Sequence, residues 1–378
     1  MDNKKIIFFV NSLKFFLSHR INLAETAFNN NFQVIIVACK DIEKVPEKLK
    51  NYKFIHLDIR GSGINIINEI KNIYKINLII DKYNPHICHF ITIKSIFYAS
   101  ILNRKFKSRN ILLSFTGIGS ISSNTRLQTV IFKKIFSIFI KKLLNLKNLK
   151  IIFQNKEDFN YVYKLNKFNQ NNSYLIKGSG VDLNKFNYRK MQKKKKMNFL
   201  FASRLLVDKG IKEFLFASNK ILDDGYKATF TIIGDVDKLN PSFINQNIIK
   251  SWTNKNKFYY GFQKNVSKFI ERSDVVVLPS YREGFPKLLI EASAIGRPIL
   301  TTNVPGCKEC VINNINGFLV KPRDKFSLYE GMKKIFSNLD NLEKMSLESR
   351  KIAENNYSIE KVNKKHLEIY KSFFKWLL

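Results

Sequence analysis

The stretch DVVVLPSYREGFPKLLIEASAIGRPILTTN, residues 274–303, places a buried strand, a loop, a helix and a second strand in close succession. DVVVLPS and PILTTN are short and almost wholly apolar runs, as expected for parallel strands covered on both faces. Pro286 suits the first turn of the intervening helix, because the N–H that it lacks would be unpaired there. The stretch therefore predicts one β–α–β unit of a doubly wound α/β sheet.

Similar patterns extend outward from this stretch along the whole chain, and strands alternate with helices. Strands are predicted at residues 5–10, 32–38, 53–58, 86–91, 110–115, 150–155, 198–203, 228–234, 257–262, 274–280, 298–303 and 317–322. Helices are predicted at residues 20–29, 66–83, 209–223, 266–273, 286–294, 326–338 and 358–378. The chain of 378 residues is longer than one ordinary domain.

The polar segment 187–198 carries a run of four lysines and no apolar periodicity, which indicates a linker. We therefore predict two Rossmann-like domains that face a central cleft, at residues 1–188 and 198–355. Residues 189–197 join them, and a C-terminal helix at residues 356–378 returns to the first domain. Ligands of such sheets bind beyond the carboxyl ends of the strands.

The net charge of +35 and the pI of about 9.9 indicate an anionic partner: nucleic acid, acidic lipid or a phosphorylated substrate. No acidic residue lies between Lys82 and Lys156. The sequence shows no helix-turn-helix, RNP or zinc-finger signature, which argues against nucleic-acid binding. The four cysteines are too few for a disulfide scaffold, and Cys307 and Cys310 lack the further ligands of a zinc site.

Two glutamates stand around the predicted helix start, Glu283 before it and Glu291 inside it. Carboxylates accept hydrogen bonds from vicinal hydroxyls, and a helix start binds anions. Two such acids around the turn Gly284-Phe285-Pro286 would match the sugar, diphosphate and ribose of a nucleotide sugar. The spacing alone also fits an acid at a helix N-terminus and a surface helix residue.

Longer motifs favour the nucleotide-sugar site over two structurally unrelated acids. The segment 274–320 resembles the C-terminal signature of family 4 glycosyltransferases, which are retaining enzymes of GT-B fold that use nucleotide-sugar donors without a catalytic metal. FASRLLVDKGIKEF (201–214), TIIGD (231–235) and GSGVDLNKF (178–186) resemble further parts of that family. FFLSHRINLA (15–24), the segment 89–105 and FTGIGS (115–120) resemble a bacterial subgroup that builds capsule, O-antigen or lipid-linked oligosaccharides.

The resemblance implies roles for individual residues. Arg204 and Lys209 would bind the donor diphosphate, Glu283 the donor sugar and Glu291 the ribose. No cofactor and no catalytic metal are implied, although Asp235-Val236-Asp237 has the D-x-D pattern that binds metal in another glycosyltransferase fold. The remaining donor-side residues are Gly284, Phe285, Pro286 and Lys287 at the helix start and Gly234 and Asp235 near the base.

The acceptor side departs from the family pattern. Thr116 and Gly117 stand where many members carry His-Gly, so no histidine base is carried over, and the departing phosphate oxygen could take the acceptor proton. The loop of Gly117 and Gly119 would approach the donor through its backbone. His19 and His89 are further polar candidates for the cleft, although either could be structural.

The resemblance implies transfer of a sugar, from a UDP-linked hexose or N-acetylhexosamine, to a polyprenyl-diphosphate-linked acceptor. Another GT-B enzyme, such as a nucleotide-sugar epimerase, and a basic nucleic-acid-binding protein are the alternatives. The segment 126–150 combines apolar residues with pairs of lysines, which indicates an amphipathic helix on an anionic membrane or a core helix with a basic edge. We expect a cytoplasmic protein that is peripheral on the inner face of the bacterial plasma membrane.

Overall fold

The computed structural model describes residues 4–59, 66–118, 127–192, 195–237, 240 and 242–374, without the side chains of residues 66 and 127–133. The chain divides into two compact units. The first unit comprises Met1–Ser179 and Glu360–Leu378, and the second comprises Gly180–Ile359.

In the first unit, the described strands form one parallel sheet of order β3-β2-β1-β4-β5-β6-β7. The chain winds outward in one direction from β1 and in the other from β4, so the switch point lies between these neighbours. The strands are β1 (Lys4–Phe9), β2 (Phe32–Ala38), β3 (Lys53–His56), β4 (Ile87–Ile91), β5 (Asn110–Phe115), β6 (Leu149–Phe153) and β7 (Ser173–Leu175).

Helices cover both faces of this sheet because its strands are apolar on both sides. Ile6 and Phe8 of β1 pack into one core, whereas Ile7 and Phe9 pack into the other. The Ile6 core is covered by α1 (Leu13–His19), α2 (Ile21–Phe28) and the C-terminal helix α13 (Ile359–Ser372). The Ile7 core is covered by α3 (Ile66–Tyr83), α4 (Ile93–Ile101), α5 (Leu127–Leu144) and α6 (Lys156–Leu165).

In the second unit, the described strands form a parallel sheet of order β10-β9-β8-β11-β12-β13, with its switch point between β8 and β11. The strands are β8 (Met197–Ala202), β9 (Ala228–Ile233), β10 (Lys257–Tyr259), β11 (Val275–Leu278), β12 (Ile299–Thr302) and β13 (Gly317–Val320). The helices are α7 (Ile211–Asp223), α8 (Gln246–Trp252), α9 (Val266–Arg272), α10 (Lys287–Ile295), α11 (Lys325–Phe336) and α12 (Leu342–Asn356).

The structure confirms every predicted strand and helix, with shifted ends, and adds β7, α1, α4, α6, α8 and α12. It divides the chain between Ser179 and Gly180 rather than at the predicted linker 189–197. Arg189 N–H donates to Ile295 O at 3.0 Å, so the beginning of this lysine-rich segment is attached to the second unit. The C-terminal helix, from Glu360 onward, belongs to the first unit.

Candidate active site

Two loops meet at the switch point of the second unit, one after β8 and one after β11. The backbone N–H of Tyr281 donates to Asp208 O at 2.9 Å, which joins the two loops directly. Gly210 has a φ of 75°, and a Cβ there would lie 2.1 Å from Pro279 O. Only glycine allows this approach, so the sequence feature that brings the loops together is the absence of a side chain at Gly210.

Lys209 and Glu283 form an ion pair across these loops. The Lys209 Nζ donates to Glu283 Oε1, and the two side chains are only 18% and 13% exposed. Ser280 Oγ donates to the same carboxylate oxygen at 2.7 Å. Because both contacts are on Oε1, the other oxygen of Glu283 has no hydrogen-bond partner among the described residues and can accept a bond from a ligand hydroxyl.

Ser280 is fully buried and is itself fixed by the next strand. Thr302 Oγ1, at the end of β12, donates to Ser280 O, and Thr301 Oγ1 donates to Leu278 O at 2.6 Å. These bonds use side chains of a neighbouring strand to hold the backbone that carries the carboxylate. Ser280 was not among the predicted site residues, although its place at the carboxyl end of a predicted buried strand is a signal for such a role.

Gly306 lets a third loop pack behind Glu283. Its φ is 83°, and a Cβ there would lie 2.5 Å from Glu283 O. The Glu283 N–H donates to Pro305 O at 3.2 Å. In this site the left-handed conformation is thus found at Gly210 and Gly306 and not at Gly284, the glycine that was singled out from the sequence.

Arg204 forms an ion pair of its own with an acid of the D-x-D segment. Its Nη1 donates to Asp237 Oδ2 at 2.7 Å, with the two side chains 58% and 30% exposed. Asp235 Oδ1 accepts from Val236 N at 2.8 Å, so both acids of the segment have contacts within the chain. Gly234 has a φ of 142°, and its lack of Cβ lets Ser203 O approach.

Glu291 is a buried acid one turn inside α10. It is 8% exposed, and Lys287 Nζ lies 3.6 Å from its Oε1. Burial raises the pKa of Glu291 above its usual value, and the charge of Lys287 opposes that rise. Further hydrogen-bond donors from a ligand would therefore stabilise the ionised carboxylate of Glu291.

The turn before α10 differs in detail from the prediction. The helix begins at Lys287, and Pro286 precedes it with an extended backbone. Phe285 is buried, and its ring packs against Tyr357 with centroids 5.5 Å apart. The structure therefore gives Phe285 a packing role, while Lys287 and the residues after it supply the first N–H groups of the helix.

Tyr281 connects this site with α7 and with the loop after β13. Its hydroxyl donates to Glu213 Oε1 at 2.7 Å, and the Arg323 guanidinium lies 5.0 Å from its ring centroid. Burial raises the pKa of Tyr281, and Glu213 raises it further. The phenol therefore stays protonated and donates, so Tyr281 fixes the loop that carries Glu283.

The predicted acceptor residues are dispersed in the first unit. Thr116 and Gly117 follow β5, and the next N–H, of Ile118, donates to Asp158 Oδ2 at 3.2 Å. Gly119 lies outside the described residues. Asp158 lies in the first turn of α6, directly after β6, and its carboxylate holds this loop. Nothing in the sequence pointed to this role.

Both candidate histidines have structural contacts. His19 Nδ1 lies 3.2 Å from Phe15 O in its own helix, and the two rings stack. His89 is fully buried, with Nδ1 2.9 Å from Tyr370 Oη and Nε2 2.7 Å from Ser114 Oγ. Burial lowers the pKa of His89 well below its usual value. His89 is thus a neutral core residue and does not line a surface.

The basic segment 126–150 contains helix α5, which has a buried and an exposed side. Phe136 and Ile140 lie in the core of the first unit, whereas Lys134, Lys141 and Lys142 are exposed. The structure thus combines the two alternatives from the sequence, a core helix and a basic outward face. In the described part of the chain, no helix is long and apolar enough to cross a membrane.

Cys307 and Cys310 are buried thiols that form no disulfide bond, and Cys307 lies near Glu283. Burial raises the pKa of Cys307 to about 12, and the charge of Glu283 adds to the rise. A protonated, enclosed thiol is a poor nucleophile and metal ligand. The described residues contain no group of three or more His, Cys, Asp or Glu residues placed to hold a metal ion.

Comparison with known families identifies the class of protein. Residues 182–352 match the family described as glycosyl transferases group 1, and residues 5–155 match the family described as glycosyl transferase 4-like. The two matches follow one another along the chain and correspond to its two units. Each of the two units thus matches a glycosyltransferase family over most of its length.

Individual relatives agree with this assignment. The chain is 25% identical over 343 residues to the capsular polysaccharide biosynthesis glycosyltransferase CapM of Staphylococcus aureus, covering 87% of this chain and 88% of the relative. It is 30% identical over 191 residues to the Campylobacter jejuni N,N'-diacetylbacillosaminyl-diphospho-undecaprenol alpha-1,3-N-acetylgalactosaminyltransferase, covering 47% of this chain and 49% of that enzyme. The crystal structure of a Rickettsia africae glycosyltransferase matches the fold with a TM-score of 0.76 at 21% identity, over 99% of this chain and 100% of that one.

Proposed function

We propose that the chain is a retaining glycosyltransferase that moves a hexose or N-acetylhexosamine from a UDP-sugar to a polyprenyl-diphosphate-linked acceptor. The observation that carries the proposal is the shielded pair of Lys209 and Glu283 at the switch point of the second unit. In this pair, the cation of Lys209 lies in direct contact with the carboxylate of Glu283, which can bind a hydroxyl. A sugar diphosphate presents the two complementary groups side by side.

The proposed chemistry breaks the bond between the anomeric carbon and the diphosphate oxygen. The electron pair stays on that oxygen, so negative charge develops on the leaving diphosphate. Lys209, Arg204 and the start of α10 would offset this charge. A fixed cation in a shielded site stabilises such charge more than one in bulk water does.

The acceptor hydroxyl forms the new bond on the same face of the sugar and gives its proton to the departing phosphate oxygen. This route balances without a protein base, which suits a site where Thr116 and Gly117 stand in place of a histidine pair. The second oxygen of Glu283 would accept a hydrogen bond from the donor sugar. Ser280 and Lys209 orient the carboxylate by holding its first oxygen.

Glu291 would bind the ribose hydroxyls. A buried carboxylate with one long contact to Lys287 gains from two charge-assisted hydrogen bonds. Arg204 would exchange Asp237 for the diphosphate when the donor binds. That exchange costs little, because an ion pair between exposed side chains is worth about 1 kcal/mol or less.

We further propose that the transfer needs no metal ion. Lys209 and Arg204 would neutralise the diphosphate charge in place of a metal ion. The two acids of the D-x-D segment already have contacts within the chain. Asp237 faces Arg204, and Asp235 accepts from the neighbouring backbone. These contacts favour a role in orienting the loop.

We propose an anionic bilayer as the docking partner of the first unit. The exposed side of α5 carries Lys134, Lys141 and Lys142, which complement acidic headgroups. Helix α3 packs into the same core and adds an outward apolar stripe between exposed lysines. This stripe comprises Ile67, Ile70, Tyr74 and Leu78. The resulting surface would hold the protein at the inner face of the bacterial plasma membrane, where a polyprenyl-linked acceptor resides.

The Campylobacter jejuni relative supports the proposed acceptor, because its name describes transfer to a diphospho-undecaprenol-linked sugar. The test is incubation with a panel of UDP-sugars and a short-chain lipid-linked acceptor, with products analysed by mass spectrometry. We expect an acceptor heavier by one sugar. Release of free sugar and UDP without an acceptor would indicate an epimerase, and salt-sensitive DNA binding without stabilisation by UDP would indicate a nucleic-acid-binding protein.

A further inference from the structure

The first unit also contains a shielded ion pair. Lys94 Nζ lies 2.8 Å from Glu69 Oε1, and the two side chains are 20% and 16% exposed. The pair of Lys209 and Glu283 in the second unit is shielded to a similar degree, at 18% and 13%. Such a pair adds little net stability, because both charges lose contact with water. The exposed part of each side chain leaves the pair accessible to a ligand.

The pair lies at the carboxyl edge of the first sheet. Helix α3 follows β3 and helix α4 follows β4, so both helices begin at this edge. Glu69 lies in the first turn of α3, and Lys94 is the second residue of α4. Because β4 is one of the two strands at the switch point, the pair lies beside the place where ligands of such sheets bind.

Tyr98, one turn after Lys94 on α4, fixes the second oxygen of the carboxylate. Its hydroxyl donates to Glu69 Oε2, whereas Lys94 is bonded to Oε1. Burial raises the pKa of Tyr98, and the bond to Glu69 raises it further, so the phenol stays protonated and donates. Two contacts from one helix therefore set the orientation of Glu69, as a pre-organised binding site requires.

The residue that joins β4 to α4 has a strained backbone. Thr92 has a φ of 81°, which is unfavourable for a residue branched at Cβ. Such strain persists only where the surrounding structure enforces it, and it is concentrated at binding and catalytic sites. The start of α4, which carries Lys94, is therefore held in place against a local conformational preference.

Opposite charges in direct contact favour a neutral ligand that carries hydroxyl groups. A phosphate that approached Lys94 would also meet the negative charge of Glu69. A hydroxyl both donates and accepts, so one of two neighbouring hydroxyls can donate to Glu69 while the other accepts from Lys94. A carboxylate oxygen can accept more than one hydrogen bond, so Glu69 can keep its contacts with Tyr98 and Lys94. The pair thus fits the vicinal hydroxyls of a sugar ring.

We propose that Glu69 and Lys94 bind hydroxyls of the acceptor sugar, and that Tyr98 is the residue that positions Glu69. This inference rests on the proposed function, which supplies a lipid-linked sugar as the ligand. None of the three was among the acceptor residues predicted from the sequence. Their contacts join two helices that follow different strands, so the sequence alone does not bring them together.

A second ion pair between the same parts of the fold provides a matched control. Lys105 Nζ lies 2.7 Å from Asp81 Oδ2, and the side chains are 34% and 43% exposed. Asp81 lies near the end of α3 and Lys105 follows α4, so this pair lies at the amino edge of the sheet. Ligands of such sheets bind at the opposite edge. Both pairs can hold α3 and α4 together, but only Glu69 and Lys94 should affect acceptor binding.

The test measures by calorimetry how much a sugar adds to the binding of a lipid diphosphate. Short-chain prenyl diphosphate is compared with the same lipid carrying each of a panel of sugars. Wild type should bind at least one sugar-bearing lipid about tenfold more tightly than the bare diphosphate. Lys94→Met should abolish this preference and Glu69→Gln should reduce it, while the affinities for the bare diphosphate and for UDP stay unchanged. Lys105→Met and Asp81→Asn should keep the preference.

The outcomes distinguish this site from the proposed function. A wild-type preference in both Lys94→Met and Glu69→Gln would overturn the site and leave the lipid-linked acceptor in place. Failure of the wild type to bind any of the lipids would overturn the proposed acceptor and the site together. Loss of the preference in Lys105→Met and Asp81→Asn as well would show that the ion pairs act only by holding the helices. If Lys94→Met does not fold, Glu69→Gln decides, because it keeps the size of the side chain.

Discussion

Lys209 Nζ donates to Glu283 Oε1, and through this bond the loop after β8 meets the loop after β11. These strands are neighbours in the sheet, although 74 positions separate the two residues in sequence. The pair turns two separate sequence motifs into one site. It also implies that the cation and the carboxylate function together, each fixing the position of the other.

Ser280 tests whether the orientation of Glu283 matters. In Ser280→Ala, Glu283 keeps Lys209 but loses the hydroxyl donor at 2.7 Å, so its second oxygen is less well positioned. We expect kcat to fall about tenfold, corresponding to roughly 1.4 kcal/mol, with little change in affinity for UDP. Steady-state kinetics and UDP calorimetry check both expectations. The buried Ser293→Ala on α10 serves as the matched control, and an equal loss of kcat there would argue against a specific role for Ser280.

Glu291 links donor affinity to stability. Its raised pKa means that the folded protein holds this proton more tightly than the unfolded chain does. The group therefore favours folding below the pKa of the unfolded chain, about 4.3, and loses that contribution as the pH rises through its higher folded value. Glu291→Gln should unfold at a higher temperature than wild type at pH 8 and at a similar temperature near pH 4.

The same substitution should weaken UDP-sugar binding about tenfold, because the ribose hydroxyls lose a charged acceptor. Calorimetry with UDP-sugar measures this effect separately from the unfolding experiment. Unchanged affinity would remove Glu291 from the donor site, whatever the stability data show.

Asp237 distinguishes an arginine partner from a metal ligand. Asp237→Asn frees Arg204 from an exposed ion pair, so we expect the donor KM to stay the same or to fall by a factor of about two to five. Activity should also be the same in EDTA and in magnesium. A large rise in KM, together with loss of activity in EDTA, would show that Asp237 binds a metal ion.

The proposed membrane surface has two components that can be separated. Ile70→Gln with Tyr74→Gln removes apolar contact from α3, and Lys141→Gln with Lys142→Gln removes charge from α5. Each pair should weaken binding to phosphatidylglycerol vesicles. The α5 pair should lose up to about thirtyfold, since each basic residue near such a surface contributes about 1 kcal/mol, and the α3 pair loses the burial of two apolar side chains. Flotation assays measure the binding, and only the α5 pair should reduce its salt dependence.

The matched control for these surface variants is Ile248→Gln, an exposed apolar residue of the second unit. It should bind vesicles as wild type does. Equal loss of binding in the control would mean that general surface hydrophobicity, and not this helical layer, drives the association.

The sheets were predictable because their strands are almost entirely apolar and short. β7 was missed because Ser173-Tyr174-Leu175 is too brief to form an apolar run. Helix α12 was missed because it is mainly polar, with buried residues such as Leu342, Met345 and Ala353 spread over its length. Patterns that depend on continuous burial are visible in a sequence, whereas edge strands and surface helices are much less so.

Contacts within the site were harder to predict than its residues. Lys209 and Glu283 were both identified, but their pairing depends on the order of strands in the sheet. The contact of Arg204 with Asp237 likewise joins loops after adjacent strands β8 and β9. His89 appeared to be a candidate because histidine in a strand is chemically conspicuous, yet both of its nitrogens have partners in the core.

The most direct test of the account is the rate of sugar transfer by Lys209→Met and Glu283→Gln at saturating UDP-sugar. In these variants the side chains keep their approximate size while the ion pair is lost. The account predicts that each lowers kcat by a factor of about 100 or more, and that the double variant loses little beyond the single ones because the two act as a unit. Transfer at the wild-type rate by either single variant would contradict it.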